Sequence, residues 1–202
     1  MTYKSLIITV SILIISLATA GQIIGTFTDS RDDKTYKTVV ISTQTWMAEN
    51  LAYKAKGGCR AYGWDNGNKK SNILTYGYLY DWKTAKKACQ QGWHLPNNEE
   101  WQTLLTNLGG QSIAGGKLKE AGTNHWNSPN TGATNESGFT ALPGGLRDDK
   151  DFQFMGLYGM WWSFTEASEV EAHRLLIMSI SGSADFGTNY KSFSHAVRCV
   201  KD

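Results

Sequence analysis

The sequence predicts an α+β fold in which a β-hairpin comes first, two short helices follow, and strands joined by long loops complete the chain. Three observations carry this prediction. Strand-forming residues flank a polar turn close to the N-terminus, two segments with helical spacing of apolar residues lie between 78 and 108, and strand-like runs fill the last third. The length of 202 residues suits one domain with a substantial core.

The first twenty residues look like a secretory signal peptide. Lys4 precedes an apolar run of 13 residues, SLIITVSILIISL, and Ala18 and Ala20 then stand at the small-residue positions of a signal peptidase site. The run is short for a bilayer span, which needs about 20 residues. We therefore expect residues 1–20 to be removed, residues 21–202 to form a single domain, and no membrane span to remain. An uncleaved membrane anchor is the alternative.

The overall charge argues against nucleic acid as a partner. The chain has 20 basic and 18 acidic residues and a formal net charge of +2, so its total charge shows no polyanion-binding signature.

The first predicted element is the hairpin. TFTD precedes the turn-rich SRDD, and KTYKTVVI follows with strand-forming residues, after which TQTW continues the extended pattern. Residues 54–74 are rich in Gly, Asn, Lys and Asp, which predicts a loop.

The first predicted helix is YLYDWKTAKKACQQG. Its lysines, Lys83, Lys86 and Lys87, fall on the side opposite the apolar residues, and Gly92 ends it. The apolar side consists of Leu79, Trp82, Ala85, Ala88 and Cys89.

The second predicted helix begins after Pro96. Asn97 and Glu100 have the spacing of a capping box, with Asn in place of Ser or Thr. An apolar face and a terminating Gly109 follow. The residues of that face are Trp101, Leu104, Leu105 and Leu108.

The last third of the chain predicts strands and loops. GFTALPGGLRD suggests a strand, a Pro-Gly turn and a second short strand, while YGMWWSFTEA, AHRLLIMSI and the terminal AVRCVKD have strand character. Between the last two lies SGSADFGTNYKSFSH, interpreted as a polar and aromatic hairpin loop. Adjacent residues of a strand point to opposite sides, so one of Trp161 and Trp162 is expected in the core and the other toward a loop layer or solvent.

The three cysteines, Cys59, Cys89 and Cys199, have a different meaning once export is expected. In an oxidising compartment two should pair and one should remain, and the sequence alone leaves all three pairings open. There is no CxxC spacing and the four histidines are scattered, so a zinc site is not expected.

Five separated motifs together resemble those of a known family. They are DSRDDKTYKTVVISTQTWMAENLAY, YGYLYDWKTAKKACQQGWHLPNNEEWQTLL, SGFTALPGGLRD, WWSFTEA and AVRCVKD. Over about residues 25–202 the chain resembles the Fibrobacter succinogenes major paralogous domain. The resemblance implies an exported protein of a Bacteroidetes- or Fibrobacter-type bacterium, in a family whose biochemical role is not established. This chain lacks the lipoprotein cysteine found in many members and keeps one of the two cysteines that relatives carry before the first helix.

The chain also resembles the C-type lectin fold, with two helices followed by a mixed sheet with long loops. One disulfide of that fold ties the end of the first helix to the last strand, and Cys89 and Cys199 occupy those two places. The resemblance therefore implies a bond between them, with Cys59 free. Such a bond closes a loop of about 110 residues and contributes about 4–5 kcal/mol at most to the free energy of unfolding on the chain-entropy model. Three buried free thiols are the alternative.

These resemblances suggest a secreted or cell-surface binding module, in the periplasm or outside the outer membrane, that recognises a glycan or a surface protein. We expect binding through the loops of residues 123–136 and 182–195, because loops on a rigid scaffold carry recognition and aromatic residues with Asn suit it. The alternatives are an enzyme acting on polysaccharide or exported protein, and a structural surface subunit. The expected ligand-binding residues are Trp126, Asn127, Arg147, Asp148, Trp162, Asn189 and Tyr190.

No catalytic residue stands out. Glu99 and Glu100 suit the start of a helix, and the isolated His125 suits a polar surface. No cofactor is expected, although calcium is possible because WDNGN and GGLRDDKD carry oxygen ligands. The calcium motifs of sugar-binding C-type lectins are absent from the sequence.

Overall fold

The computed structural model describes residues 23–62 and 69–202. The predicted signal peptide, residues 1–20, lies outside the described residues. The described chain is mixed α/β, built mostly from sheets with a few short helices. The helices are α1 (Lys69–Tyr76), α2 (Trp82–Ala85), α3 (Asn98–Asn107) and α4 (Gln111–Leu118). The strands are β1 (Ile23–Asp29), β2 (Lys34–Ile41), β3 (Gln44–Met47), β4 (Cys59–Arg60), β5 (Leu79–Asp81), β6 (Trp93–His94), β7 (Leu146–Arg147), β8 (Phe152–Gln153), β9 (Tyr158–Glu166), β10 (Glu171–Met178), β11 (Ala184–Tyr190), β12 (Ser194–Ala196) and β13 (Val200–Lys201).

The smaller sheet contains the predicted hairpin. Its strand order is β1-β2-β3-β13-β6, and β1 and β2 are antiparallel with Phe27 opposite Tyr36. The polar residues between these strands form the tight turn, where Asp33 adopts a φ of 57°. The last strand of the chain, β13, lies between β3 and β6, so the two ends of the described chain meet in one sheet.

The larger sheet has the order β11-β10-β9-β12-β5-β4, and the short β7 pairs with both β12 and β8. The β9–β10 hairpin forms where the sequence predicts two strands. β12 runs parallel to β9, with Ala196 opposite Trp161.

Both sides of β9 are buried. Trp161 packs in one apolar cluster and Trp162 in another, and neither side chain is exposed. The two rings do point to opposite sides of the strand, as expected. The expectation that one of them faces a loop layer or solvent is wrong, because each side of the sheet is covered by its own cluster.

The predicted second helix is confirmed as α3. Asn97 Oδ1 accepts a hydrogen bond from the Glu100 amide at 2.9 Å, and Glu100 Oε2 accepts one from the Asn97 amide at 2.9 Å. This is the predicted capping box, and Gly109 follows the helix with a φ of 98°. The apolar face is buried, with the Trp101 ring centroid 4.7 Å from that of Trp46.

The predicted first helix is much shorter than expected. Leu79–Asp81 forms strand β5, which pairs with β4 and β12, so helix begins only at Trp82. Asp81 Oδ1 caps α2 by accepting the Thr84 amide at 2.8 Å. After Ala85 the chain continues in turns rather than in an α-helix. Pairing in the sheet has overridden the helical spacing of the sequence.

Two helices occur where none was predicted. α1 begins within the expected loop of residues 54–74 and extends two residues beyond it, to Tyr76. α4 contains Gly115 and Gly116, which normally argue against a helix. A Cβ on Gly115 would stand 1.9 Å from the Ser183 carbonyl oxygen, and one on Gly116 would stand 2.3 Å from that of Gly132. The glycines are therefore explained by close approach of neighbouring backbone.

Three strand predictions need correction. The expected hairpin loop 182–195 is largely strand β11, which pairs with β10 over seven residues from Ala184 to Tyr190. The expected terminal strand is divided into β12 and β13, which belong to different sheets. In GFTALPGGLRD only the second strand forms, as β7, and Ala141 makes a single bridge to Lys119.

The disulfide between Cys89 and Cys199 is present and joins residues 110 apart, from the turns after α2 to the segment between β12 and β13. Cys59 is free. Both outcomes confirm the expected pairing. Within residues 23–62 and 69–202, no helix has the length and apolar character needed to cross a membrane.

Candidate functional site

Two of the expected ligand-binding residues are core residues. Trp126 is 1% exposed, and its Nε1 donates to the Ala141 carbonyl at 2.9 Å. Trp162 is fully buried, and its Nε1 donates to the Tyr80 carbonyl at 2.7 Å. Each ring buries its apolar surface and satisfies its one donor inside the protein. This corrects the expectation that they contact a ligand.

Arg147 and Asp148 shape the turn between β7 and β8. Arg147 Nη1 donates to the Asp148 carbonyl at 2.8 Å. The carboxylate of Asp148 accepts the amides of Asp151 at 2.7 Å and Lys150 at 2.8 Å, and these bonds lower the pKa of Asp148. The polar groups of both side chains are thus used within their own turn.

The remaining expected residues lie at separate places. Asn127 is exposed and its amide donates to Gly156 at 2.8 Å, near Tyr158 at the start of β9. Tyr190 is 52% exposed and lies opposite Glu171, at one end of β10, whereas Tyr158 lies opposite the other end. At about 3.3 Å per residue, seven steps of a strand separate these places by about 23 Å. The expected residues therefore do not form one binding face.

Asn189 belongs to a buried polar group around His195. Asn189 Nδ2 lies 3.2 Å from His195 Nε2, and the His195 ring lies 4.2 Å from the Trp162 ring. Burial, together with a smaller contribution from the charge of Arg174, lowers the pKa of His195 to about 3. His195 has no exposed surface, so this neutral imidazole is part of the core rather than of an open site.

An open cleft of about 390 Å³ lies where the loop after β3 faces α2 and the turns that follow it. We call it the lysine cleft. It is lined by Tyr53, Ala55, Lys56, Gly57, Lys83, Thr84, Lys87 and Ala88.

Local bonding places the lysines of the cleft. The amide of Lys87 donates to the Thr84 carbonyl at 3.0 Å, so the chain continues to turn after α2 and brings Lys87 near Lys83. On the opposite wall, the Asp81 amide donates to the Gly58 carbonyl at 2.8 Å. Gly58 has a φ of 68°, and a Cβ there would meet Thr84 Oγ1 at 2.0 Å, so only glycine allows the two walls to approach this closely.

The cleft is a local concentration of positive charge. Lys56, Lys83 and Lys87 are exposed, and none of them pairs with a carboxylate in the described part of the chain. The lining contains no acidic residue. Like charges four residues apart on a helical turn cost about 0.2–0.5 kcal/mol. An anion bound between the lysines would relieve that repulsion.

Arg31 links two walls of the cleft by contacting Tyr53 on one and Ala88 on the other. Its guanidinium carbon lies 3.8 Å from the centroid of the Tyr53 ring, and Nη2 donates to the Ala88 carbonyl at 2.9 Å. The same group pairs with Asp29 at 2.6 Å. Burial opposes ionisation of Asp29, but the hydrogen bonds from Arg31 outweigh it and lower the pKa of Asp29. Arg31 is therefore committed to positioning Tyr53 and Ala88.

Part of this cleft could be predicted from the sequence. Lys83 and Lys87 were expected on the polar side of a helix, where lysines are common and carry no special meaning. Lys56 lies in a different segment, and the near-neutral total charge hides the cluster. Contacts between residues far apart in sequence, such as Gly57 with Thr84 and Gly58 with Asp81, bring the three lysines into one cleft.

No metal centre is apparent. Within the described ranges, no group of three or more His, Cys, Asp or Glu residues could hold a metal ion. Of the two segments with possible calcium ligands, WDNGN lies outside the described residues. In GGLRDDKD the Asp148 carboxylate accepts hydrogen bonds from amides of its own turn. Calcium binding stays a prediction.

Comparison with known proteins finds one family. The family model described as the Fibrobacter succinogenes major domain matches residues 39–201, which is most of the 202-residue chain. No curated protein and no solved structure matches.

Proposed function

Since the chain belongs to the Fibrobacter succinogenes major domain family, we propose that it is an exported or cell-surface binding module that holds a negatively charged glycan or protein in the lysine cleft. The observation that carries the proposal is the open cleft with three lysines and no acidic lining residue. Ligand sites are concave surfaces of this size that combine apolar walls with a few polar groups.

Export is part of the proposal. The N-terminal segment has the character of a signal peptide, and the Cys89–Cys199 disulfide is typical of proteins that fold in an oxidising compartment. We also propose that the fold is C-type-lectin-like. The disulfide between the turns after α2 and the last segment of the chain, and the meeting of both ends in the smaller sheet, support that likeness.

A binding role fits the geometry better than catalysis. Strongly shifted pKa values mark candidate catalytic groups. Burial lowers the pKa of Lys119 to about 8, but its ammonium is enclosed and donates to three carbonyl oxygens, those of Thr131, Met178 and Ser181. His195 is enclosed as well. Neither group can reach a substrate, whereas the cleft is open.

Two triple variants of residues 21–202 test the proposal. The first replaces Lys56, Lys83 and Lys87 by Gln. The control replaces Lys37, Lys150 and Lys201, which are also exposed, by Gln and so removes the same charge elsewhere. Binding is measured on an array of charged and neutral glycans and on a panel of acidic proteins.

We expect the wild type and the control triple to bind the same charged ligands, and the cleft triple to bind them at least about tenfold more weakly, a change of about 1.4 kcal/mol. If both triple variants lose the same binding affinity, or if neither loses any, the binding site lies outside the cleft. A wild type that binds no member of the array or panel would overturn the proposal.

A further inference from the structure

We infer that the ligand of the lysine cleft is an acidic glycan, a chain of sugar rings that carry carboxylate or sulfate groups. This inference rests on the proposed function and names its substrate class. It depends on three features of the cleft: the type of its charged groups, the neutral groups between them, and the absence of a usable strand edge.

The charged groups are ammoniums rather than guanidiniums. A lysine ammonium is a compact charge on a flexible stem, whereas arginine has a planar fork that matches one carboxylate or phosphate in a fixed geometry. The lining residues include no arginine, and Arg31, which contacts two of them, is committed to Asp29, Ala88 and Tyr53. Three separate mobile charges suit a ligand whose anionic groups are spaced along it.

The neutral lining suits sugar rings. Tyr53 lines the cleft together with the small residues Ala55 and Ala88, and one face of its ring is covered by the Arg31 guanidinium. A tyrosine ring combines an apolar body with a polar end. Thr84 Oγ1 donates to the Gly57 carbonyl at 3.5 Å, at the outer limit of a hydrogen bond. A hydroxyl that both donates and accepts could replace this weak contact with two better ones, and sugars are rich in such hydroxyls.

An acidic peptide fits the cleft less well. Extended peptides commonly bind by adding a strand to an exposed sheet edge. The edge strand here is β4, which has only two residues, Cys59 and Arg60. The preceding carbonyl, that of Gly58, already accepts the Asp81 amide. The edge therefore offers too few free backbone groups to align a peptide.

Gly57 gives a way to close the cleft without changing its charge. A Cβ built on Gly57 has no atom within 4 Å, and its φ lies outside the left-handed region, so a side chain fits there without strain. Gly57→Phe is expected to fill the cleft, and Gly57→Ala is the matched control.

The experiment measures binding of residues 21–202 to four probes by calorimetry at low and high salt. The probes are oligogalacturonate, the same oligomer with its carboxyl groups methyl-esterified, poly-glutamate of similar charge, and sodium sulfate. We expect oligogalacturonate to bind at least about tenfold more tightly than each of the others. Its binding should weaken with salt, because salt screens exposed charges.

Gly57→Phe should abolish oligogalacturonate binding, and Gly57→Ala should retain it. If poly-glutamate or sulfate binds as tightly as oligogalacturonate and depends equally on Lys56, Lys83 and Lys87, the glycan inference is wrong. The proposed function would remain intact in that case. Equal binding of the esterified oligomer would also overturn it, because the charge would then be irrelevant. Binding of oligogalacturonate that neither Gly57→Phe nor the lysine triple weakens would overturn both.

Discussion

Arg198 donates two hydrogen bonds to the side-chain oxygen of Asn50, from Nη2 at 2.8 Å and from Nε at 3.1 Å, across 148 residues of sequence. Trp161 Nε1 donates to the same oxygen at 2.9 Å. Arg198 is fully buried, and burial lowers its pKa to about 9. Its other donors reach backbone carbonyls, including that of Met47. Asn50 thus connects β9, the segment between β12 and β13, and the chain after β3.

Asn50→Ala is expected to destabilise the protein by about 2–4 kcal/mol. The substitution leaves donors of Arg198 and Trp161 buried without their acceptor, and each unsatisfied group costs about 1–3 kcal/mol, more when it is charged. Urea denaturation followed by tryptophan fluorescence measures the change. The exposed Asn124→Ala is the control and should shift the free energy of unfolding by less than about 0.5 kcal/mol. A wild-type midpoint for Asn50→Ala would show that the network is not required.

His94 is expected to make stability depend on pH. Its Nε2 lies 2.7 Å from Glu100 Oε1 and its Nδ1 lies 2.6 Å from Asp202 Oδ1. Burial opposes the charge, but the bonds to Asp202 and Glu100 outweigh it and raise the pKa of His94 above its ordinary 6.5. The folded state therefore binds the proton more tightly than the unfolded state does. The resulting stability is fully present below about pH 6.5 and is lost as pH rises through the folded pKa.

His94→Gln tests this pH dependence. The difference in melting temperature between wild type and variant should be largest at about pH 5.5 and should shrink as pH rises toward about 8.5. A difference that stays constant over this range would show that His94 does not gain its proton affinity from folding. His173→Gln, on β10, serves as the matched histidine control.

The disulfide is expected to contribute up to about 4–5 kcal/mol, because it closes a loop of about 110 residues and so restricts the unfolded chain. Cys89→Ala together with Cys199→Ala should lower the free energy of unfolding by that order, measured by chemical denaturation. Cys59→Ala removes the free thiol and should have a much smaller effect. Peptide mapping without reductant that links Cys59 to either partner would contradict the assigned pairing.

Trp126 and Tyr190 should respond differently to truncation. Trp126→Ala is expected to cost about 3–5 kcal/mol, the same scale as Trp101→Ala, because both are buried core residues. Tyr190 is half exposed, so Tyr190→Ala should cost about 1 kcal/mol or less. Thermal and urea denaturation of the single variants separate the two. If Trp126→Ala has nearly the stability of the wild type, Trp126 does not pack in the core and is again a candidate for ligand contact.

The sequence by itself determined the elements whose signals lie within a few residues. The Asn97–Glu100 capping box, the turn between β1 and β2, and the strand character of β9 and β10 each depend on near neighbours, and all three formed as predicted. The position of Cys89 and Cys199 indicated their pairing only through resemblance to a known fold.

The tertiary structure decided everything that depends on distant contacts. Leu79–Asp81 is a strand because β12 and β4 pair with it, and α4 tolerates Gly115 and Gly116 because Ser183 and Gly132 lie against them. Trp126 is core because the Ala141 carbonyl accepts its donor. The lysine cleft exists because the chain around Gly57 folds onto Thr84. Burial and charge clustering arise between residues far apart in sequence, and no local pattern records which of them will meet.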